Sequence, residues 1–245
     1  MTGRSFEKGL TNNASDVCRL CNGTLTIVDD DGARPCHECK TKREKEKHEI
    51  LLDHLMPKRY RQVTLANLVA RNDFHRDQEK IIAYMRAHPH VNYYFCGEND
   101  TGKTHFLWAL CEHAVRSNRR VIATTLHDWI EANLKSYRDH QTVSTFRLAD
   151  LQQDVYPYSV FIDDVDKKKV SDYVADMLFN LVDSVYRFQH QLVVTSQLDP
   201  EKRIKGRDGV MRASLIEHFR ESDPRYGVGI ARRIVNDETA IFRMV

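Results

Sequence analysis

Gly97-Glu98-Asn99-Asp100-Thr101-Gly102-Lys103-Thr104 is the stretch on which the fold turns. It matches G-x-x-x-x-G-K-[ST] in full, a loop whose glycines let the chain wrap closely round a phosphate with backbone N–H groups pointing inward. A helix beginning at Lys103 adds the positive end of its dipole. In this reading Lys103 reaches the β- and γ-phosphates of a nucleoside triphosphate as a point charge. Thr104 offers its hydroxyl to Mg2+, a cation that takes oxygen ligands.

The flanks are those the loop requires. Residues 91–96, Val91-Asn92-Tyr93-Tyr94-Phe95-Cys96, form an apolar run that reads as a buried strand. Residues 103–117 carry Phe106, Leu107, Leu110, Cys111 and Ala114 at helical spacing. Beyond them the same alternation continues, with strands expected at 121–125, 158–162, 192–196 and 239–244 and helices at 126–137 and 170–186. Strands separated by helices of 10–15 residues call for crossover connections. The expected fold is therefore α/β, a mainly parallel sheet with helices on both faces.

The run at 158–162 ends in Asp163 and Asp164. On a parallel strand that end opens on the same crevice as the phosphate loop. Asp163 is then a ligand for Mg2+ through water, and Asp164 a general base for the attacking water. The competing reading makes Asp164 and Asp166 caps of the next helix. The later run 192–196 ends in Ser196 and Gln197. Either is placed to meet the γ-phosphate or the water.

Four of the six cysteines, Cys18, Cys21, Cys36 and Cys39, fall in two C-x-x-C pairs separated by 14 residues. Each pair can give two thiolates from one tight turn, and two turns complete a tetrahedron round Zn2+ with no open position, a structural site. Between them, residues 24–28 read as a strand and Asp29-Asp30-Asp31-Gly32 as a turn, the pattern of a zinc ribbon. A segment this short needs such a staple. A disulfide pairing and a ligand exchange to His37 are the alternatives. Cys96 and Cys111 lie on apolar faces and read as small core residues.

Residues 40–55 form a charged helical stretch with Ile50, Leu51, His54 and Leu55 on one side, which Pro57 should end. Hence two domains are expected, 1–56 and 57–245. The apolar fraction of 41% and charged fraction of 29% suit a soluble globular chain, and no apolar run approaches the roughly 20 residues a bilayer span needs. Residues 1–13 lack the apolar centre of a secretory signal, so a cytoplasmic location is expected. The net charge of +2 carries no case for nucleic acid, which must rest on local clusters. Three are candidates: 40–47, where Glu44 and Glu46 interleave; the purer run Lys202, Arg203, Lys205, Arg207 and Arg212; and Lys167-Lys168-Lys169.

From Pro57 onward the chain resembles the bacterial helicase-loader family of AAA+ ATPases, the DnaC/DnaI type, with the transposon helper IstB as close kin. Pro57-Lys58-Arg59-Tyr60-Arg61 followed by Thr64-Leu65-Ala66-Asn67 is similar to the family's leading segment. Gly102-Lys103-Thr104-His105 is similar to the end of its Walker A loop, Phe161-Ile162-Asp163-Asp164-Val165 to its Walker B strand, and Val193-Val194-Thr195-Ser196-Gln197-Leu198 to its sensor-1 region. Gly229-Ile230-Ala231-Arg232-Arg233-Ile234 resembles the segment carrying the arginine finger, with Arg233 the better match and Arg232 the second. Asp100 stands where the family usually has Gly, Gln197 where Asn is common, and Asp166 where Gly is usual.

The resemblance implies an AAA+ ATPase using ATP and Mg2+, with a nucleotide site at residues 97–105. It also implies self-assembly, because an arginine finger completes a neighbour's site. The N-terminal cysteine module is similar to that of DnaI-type loaders. This implies docking on a hexameric DnaB-type replicative helicase and its deposition on single-stranded DNA. Two other functions stay open: an IstB-like ATPase regulator of DNA transposition, and an ATP-sensing adaptor that barely hydrolyses.

Overall fold

The cysteine pairs frame two short antiparallel strands, β1 (Thr26–Asp29) and β2 (Gly32–Pro35), and the N-terminal end of helix α1 (His37–Leu55). This computed structural model describes residues 17–29, 32–70, 75–139, 151–152, 157–167 and 171–244. The polar segment 1–16, Asp30 and Asp31 of the expected turn, Lys168, Lys169 and Val170 lie outside them.

Two compact units divide between Leu51 and Leu52, inside α1, rather than at the expected Met56–Pro57. The reason is packing: Leu52, Met56 and Tyr60 belong to a core cluster of the second unit. Ile50 and Leu51, expected on the apolar side of this helix, are exposed, and its buried residue is Leu52. Among the described residues of the first unit, only Cys21 and Cys36 are buried apolar side chains. The described part of that unit has no hydrocarbon core of its own.

After the last turn of α1, the second unit continues with one 3-10 turn (Lys58–Tyr60) and helix α2 (His75–Ala87). Then strand and helix alternate as expected: β3 (Asn92–Gly97), α3 (Lys103–Arg116), β4 (Arg120–Thr125), α4 (Leu126–Asp139), β5 (Tyr158–Asp163), α5 (Asp172–Arg187) and β6 (Gln191–Ser196). A two-residue-per-strand hairpin follows, β7 (Ile204–Lys205) and β8 (Met211–Arg212), then α6 (Leu215–Ser222), α7 (Gly227–Ile234) and β9 (Thr239–Met244). The sheet has five strands, all parallel, in the order β4-β5-β6-β3-β9.

Both faces are covered, so the strands are apolar without strict alternation. Side chains still leave each strand on alternate faces. Tyr94, Cys96, Val160, Ile162, Leu192 and Val194 enter one cluster with α4, α5, α6 and α7. Tyr93, Phe95, Phe161 and Val193 enter the other with α2 and α3. Cys96 and Cys111 are buried in these two cores, and burial pushes the Cys96 thiol up to about 12.

The strand order decides what meets what. β6 lies between β3, which carries the phosphate loop, and β5, which carries the acids. Whatever ends β6 therefore stands between the two halves of the candidate site.

Candidate nucleotide site and cysteine centre

The phosphate loop joins the C-terminal end of β3 to the first turn of α3. Asp100, at the position where glycine was the family habit, has φ 63° and Gly102 has φ 95°. An aspartate adopts this left-handed backbone more readily than most residues, so the loop keeps its curl. Gly97 is required for another reason: a Cβ there would lie 1.9 Å from the Met244 carbonyl oxygen of β9. The sheet neighbour, rather than a phosphate, imposes that glycine.

Lys103 is buried, and its Nζ donates to the carbonyl oxygens of Gly97 (2.8 Å) and Glu98 (2.5 Å). Burial lowers its pKa, while the carboxylates of Asp164, Asp166 and Asp163 work in the opposite direction. An ammonium folded back on loop carbonyls has only to swing outward to meet a polyphosphate. Thr101 donates to the Glu98 carbonyl at 2.9 Å, and the buried Gln78 of α2 donates to the Thr101 carbonyl at 3.0 Å. Gln78 thus braces the loop from an element the sequence pattern did not announce. Only a few apolar residues of α2, such as Ile81, Ile82 and Met85, face the core.

Across the crevice, Thr104 Oγ1 donates to both oxygens of Asp163, at 3.1 and 3.2 Å. A hydroxyl and a carboxylate this close are the oxygen pair that a hard cation takes. Burial pushes the Asp163 carboxyl up, against the hydroxyl of Thr195, which donates to it. Thr195 Oγ1 also accepts the Asp164 backbone N–H at 2.9 Å. One hydroxyl at the tip of β6 therefore holds both acids, a role sequence reasoning missed. The signal is its position in Thr195-Ser196-Gln197: Ser196, the alternative to Gln197, is wholly buried and its hydroxyl accepts from the Leu198 N–H at 3.0 Å.

Asp164 has φ 56°, and its carboxylate is paired with Lys167. Asp166 accepts the Gln197 backbone N–H at 3.1 Å. Neither acid caps α5, whose N-cap is Ser171. Gln197 Nε2 donates to Asn99 Oδ1 at 3.0 Å, so this side chain reaches the third residue of the phosphate loop. His105 packs edge-on against Tyr60, ring centroids 5.0 Å apart, and Tyr60 also stacks on Trp108. Burial raises the Tyr60 pKa; the Arg59 guanidinium, 4.6 Å over its ring, opposes this, and the negative charges of Asp163 and Asp164 reinforce it. The leading segment thus reaches the acidic side of the site.

Lys103, Asp163, Asp164 and Gln197 gather at the C-terminal edge of the sheet. Arg233 does not. It lines a cavity of about 370 Å³ with His90, Asn92, Arg119 and Gln191, where β3 and β6 begin, so it lies at the opposite edge. Its Nε bonds Asp183 of α5 at 2.7 Å and its guanidinium lies 4.4 Å over Phe179. Arg232, beside it, is exposed. Of the basic run 202–212, Arg203 is paired with Glu217, Arg207 with Glu98, and Arg212 with Glu98 and Asp208, while Lys202 and Lys205 are exposed.

In the first unit the four cysteine sulfurs lie within 4.8 Å of one another. Cys18 and Cys36 are 3.6 Å apart and Cys21 and Cys39 3.4 Å, too long for disulfides and close to the roughly 3.8 Å edge of a tetrahedron with 2.3 Å metal–sulfur bonds. All six cysteines are free. Cys39, hydrogen-bonded to Cys21 and desolvated, is pushed up to about 12; Cys21, in spite of desolvation, is brought down to about 7 by the hydrogen bond from Cys39 and the Leu25 amide. A metal bound by these sulfurs would displace the thiol protons. His37 is exposed and outside the cluster.

A parallel sheet with a phosphate loop after one strand, paired acids after another and a polar tip between them defines an AAA+ P-loop NTPase fold. Residues 61–217 match the family described as the bacterial DnaA ATPase domain; that is more than half of the chain, which belongs to this family. Among solved structures, the chain is similar to replication initiator DnaA bound to AMPPCP and single-stranded DNA (20% identity, TM-score 0.53, 78% of this chain and 50% of that one). It is similar to the DnaC helicase loader (16% identity, TM-score 0.55, 77% of this chain and all of that one). It is also similar to DnaI (14% identity, TM-score 0.51, 78% and 92%). It spans about half the length of the two nucleotide-bound DnaA structures it matches. Identities this low speak for the fold. No curated protein matches the chain by sequence. Among the described residues, no helix is long and apolar enough to cross a membrane.

Proposed function

We propose that this chain is an ATP-dependent helicase loader that binds a hexameric, DnaB-type replicative helicase and helps deposit it on single-stranded DNA. The observation that carries the reading is the convergence of Lys103, Thr104, Asp163, Thr195 and Gln197 on one crevice. The extent of the structural likeness points the same way: the chain covers the whole of the DnaC loader structure but only half of DnaA. Single-stranded DNA as a ligand is supported by the DnaA structure that holds it.

Bound ATP with Mg2+ supplies the phosphoanhydride bond whose hydrolysis drives the cycle. Residues 97–105 cradle it, with Lys103 on the β- and γ-phosphates and Thr104 and Asp163 toward the Mg2+. Asp164 takes a proton from the attacking water, for which its carboxylate must leave Lys167. Gln197 orients the same water or the γ-phosphate from the loop's third residue. Arg233, at the far edge of the sheet, serves the site of a neighbouring copy, with Arg232 the alternative. Asp164 on Lys167, Gln197 on Asn99 and Arg233 on Asp183 are thus all engaged within the single chain, which supports slow turnover until oligomer, partner or DNA frees them. The four cysteines hold structural Zn2+, and the N-terminal domain, expected over 1–56, docks on the helicase.

The test is a pull-down with the full chain, zinc-loaded and supplied with ATP. Recovery of a hexameric helicase is expected. Recovery of a transposase would overturn the loader assignment in favour of a transposition regulator, and recovery of DNA without any helicase would overturn the docking on a helicase.

A further inference from the structure

Glu98 is the second residue of the phosphate loop, and it anchors the β7–β8 hairpin that begins more than a hundred residues later. Its carboxylate accepts the Arg207 backbone N–H, meets Arg207 Nε at 2.9 Å and Arg212 Nη1 at 3.4 Å. The other Arg212 nitrogen lies 3.1 Å from Asp208. The hairpin neck is shaped round this guanidinium: a Cβ on Gly206 would stand 2.8 Å from Arg212 Cζ and 2.6 Å from Asp208 Oδ1. On its other side the hairpin is tied by Arg203 to both oxygens of Glu217, at 2.9 Å each. Glu217 in turn closes a capping box with Ser214 at the start of α6.

The electrostatic problem this solves is local. A loop that must receive a polyanion carries two acids, Glu98 and Asp100, against one ammonium, Lys103. An uncompensated carboxylate roughly 8 Å from a phosphate group weakens its binding on the order of tenfold at an effective dielectric of about 20 with salt screening. Two guanidiniums on Glu98 remove that repulsion and fix the direction of the loop's second residue. A bidentate or paired arginine does this with a rigid planar fork, where a lysine would give only a mobile point charge.

We propose that Arg207 and Arg212 are positioning residues of the nucleotide site, acting through Glu98, and that the β7–β8 hairpin is the outer wall of the phosphate loop. This deepens the nucleotide-site assignment made above and rests on it. The hairpin's arginines serve the site of their own chain, in contrast to Arg233, and are not free for DNA while they do so.

Calorimetric titration of AMPPCP with Mg2+ into the purified full chain tests it. The unaltered chain, Arg207→Ala/Arg212→Ala, and the same double change combined with Glu98→Gln are compared, each with its melting temperature. The double variant is expected to bind roughly tenfold more weakly, and the added Glu98→Gln to recover most of the loss, because the unmasked charge is gone. A merely structural hairpin would give no such rescue. Arg212→Gln, which keeps a hydrogen bond and loses the charge, should lose affinity in the same sense and covers the case of a double variant that does not fold. Binding by the double variant equal to that of the unaltered chain, or a triple variant as weak as the double, overturns the hairpin's role alone. Failure of the unaltered chain to bind takes the nucleotide site with it.

Discussion

The two ends of this chain hold charge by opposite means. The cysteine unit is local: four sulfurs drawn from 22 consecutive residues meet within 4.8 Å, and its described part buries no apolar side chain apart from Cys21 and Cys36. The crevice is global: Thr104 at the start of α3, Asp163 at the end of β5, and Thr195 and Gln197 at the tip of β6 meet at the edge of a sheet packed on two clusters of aromatic and aliphatic residues. A site without a core must let its ligand supply the folding energy. A site on a core can be preformed and wait.

The sharpest way to break this contrast is metal removal. Chelation, or Cys36→Ser, should unfold the first unit outright, since structural zinc contributes about 10 kcal/mol or more of folding free energy. Amide exchange across β1, β2 and the start of α1 would report it, while AMPPCP binding by the second unit stays within twofold. Fewer than about one zinc per chain by metal analysis of the native protein would reject the four-thiolate site. If nucleotide affinity fell together with the metal, the independence of the two sites would be wrong.

Next in size is Lys103→Ala. Its ammonium donates to two loop carbonyls, so the fold should stand, but turnover should fall at least about a hundredfold with the loss of the phosphate-facing charge. Steady-state ATP hydrolysis with single-stranded DNA present checks this. Undiminished turnover would move the site elsewhere.

Thr195→Val is a finer probe. It removes one hydroxyl that donates to Asp163 and accepts from the Asp164 N–H, nearly without change of volume. Burial already holds Asp163 above the usual carboxylate range, and loss of this donor raises it further. A hydrogen bond to a charged group is worth about 1.5–3 kcal/mol. Mg2+ uptake should therefore weaken by roughly tenfold, and the pH at which it is lost on acidification should move upward. A magnesium titration at several pH values reads both.

The smallest effect concerns the last strand. Burial tends to raise Asp199, but Arg243 of β9 and the amides of Lys202 and Glu201 outweigh it and hold the carboxyl below its usual value. A folded-state pKa below the unfolded one gives stability that is present above the unfolded value and lost as pH falls through the folded one. Arg243→Ala should therefore cost up to about 1 kcal/mol at neutral pH, the arginine being half exposed, and nothing once the carboxyl is protonated in both states. Thermal melts from pH 7 down to about pH 2 check the sign.

The sequence by itself determined the strand–helix alternation, the phosphate loop, the acids at the end of β5 and the cysteine cluster. Each of these is written in spacing: eight loop residues, two acids closing an apolar run, two C-x-x-C turns. Local backbone geometry is enough to present such groups. Only the tertiary structure decided that Thr195 and not Ser196 faces the acids, that Gln78 and Tyr60 border the site, that Arg233 stands at the far edge, and that Glu98 is met by Arg207 and Arg212. Those relations depend on β6 lying between β3 and β5 and on a hairpin returning to a loop a hundred residues earlier. No periodicity records which strand becomes a neighbour, because that is settled by which faces the two cores bury together.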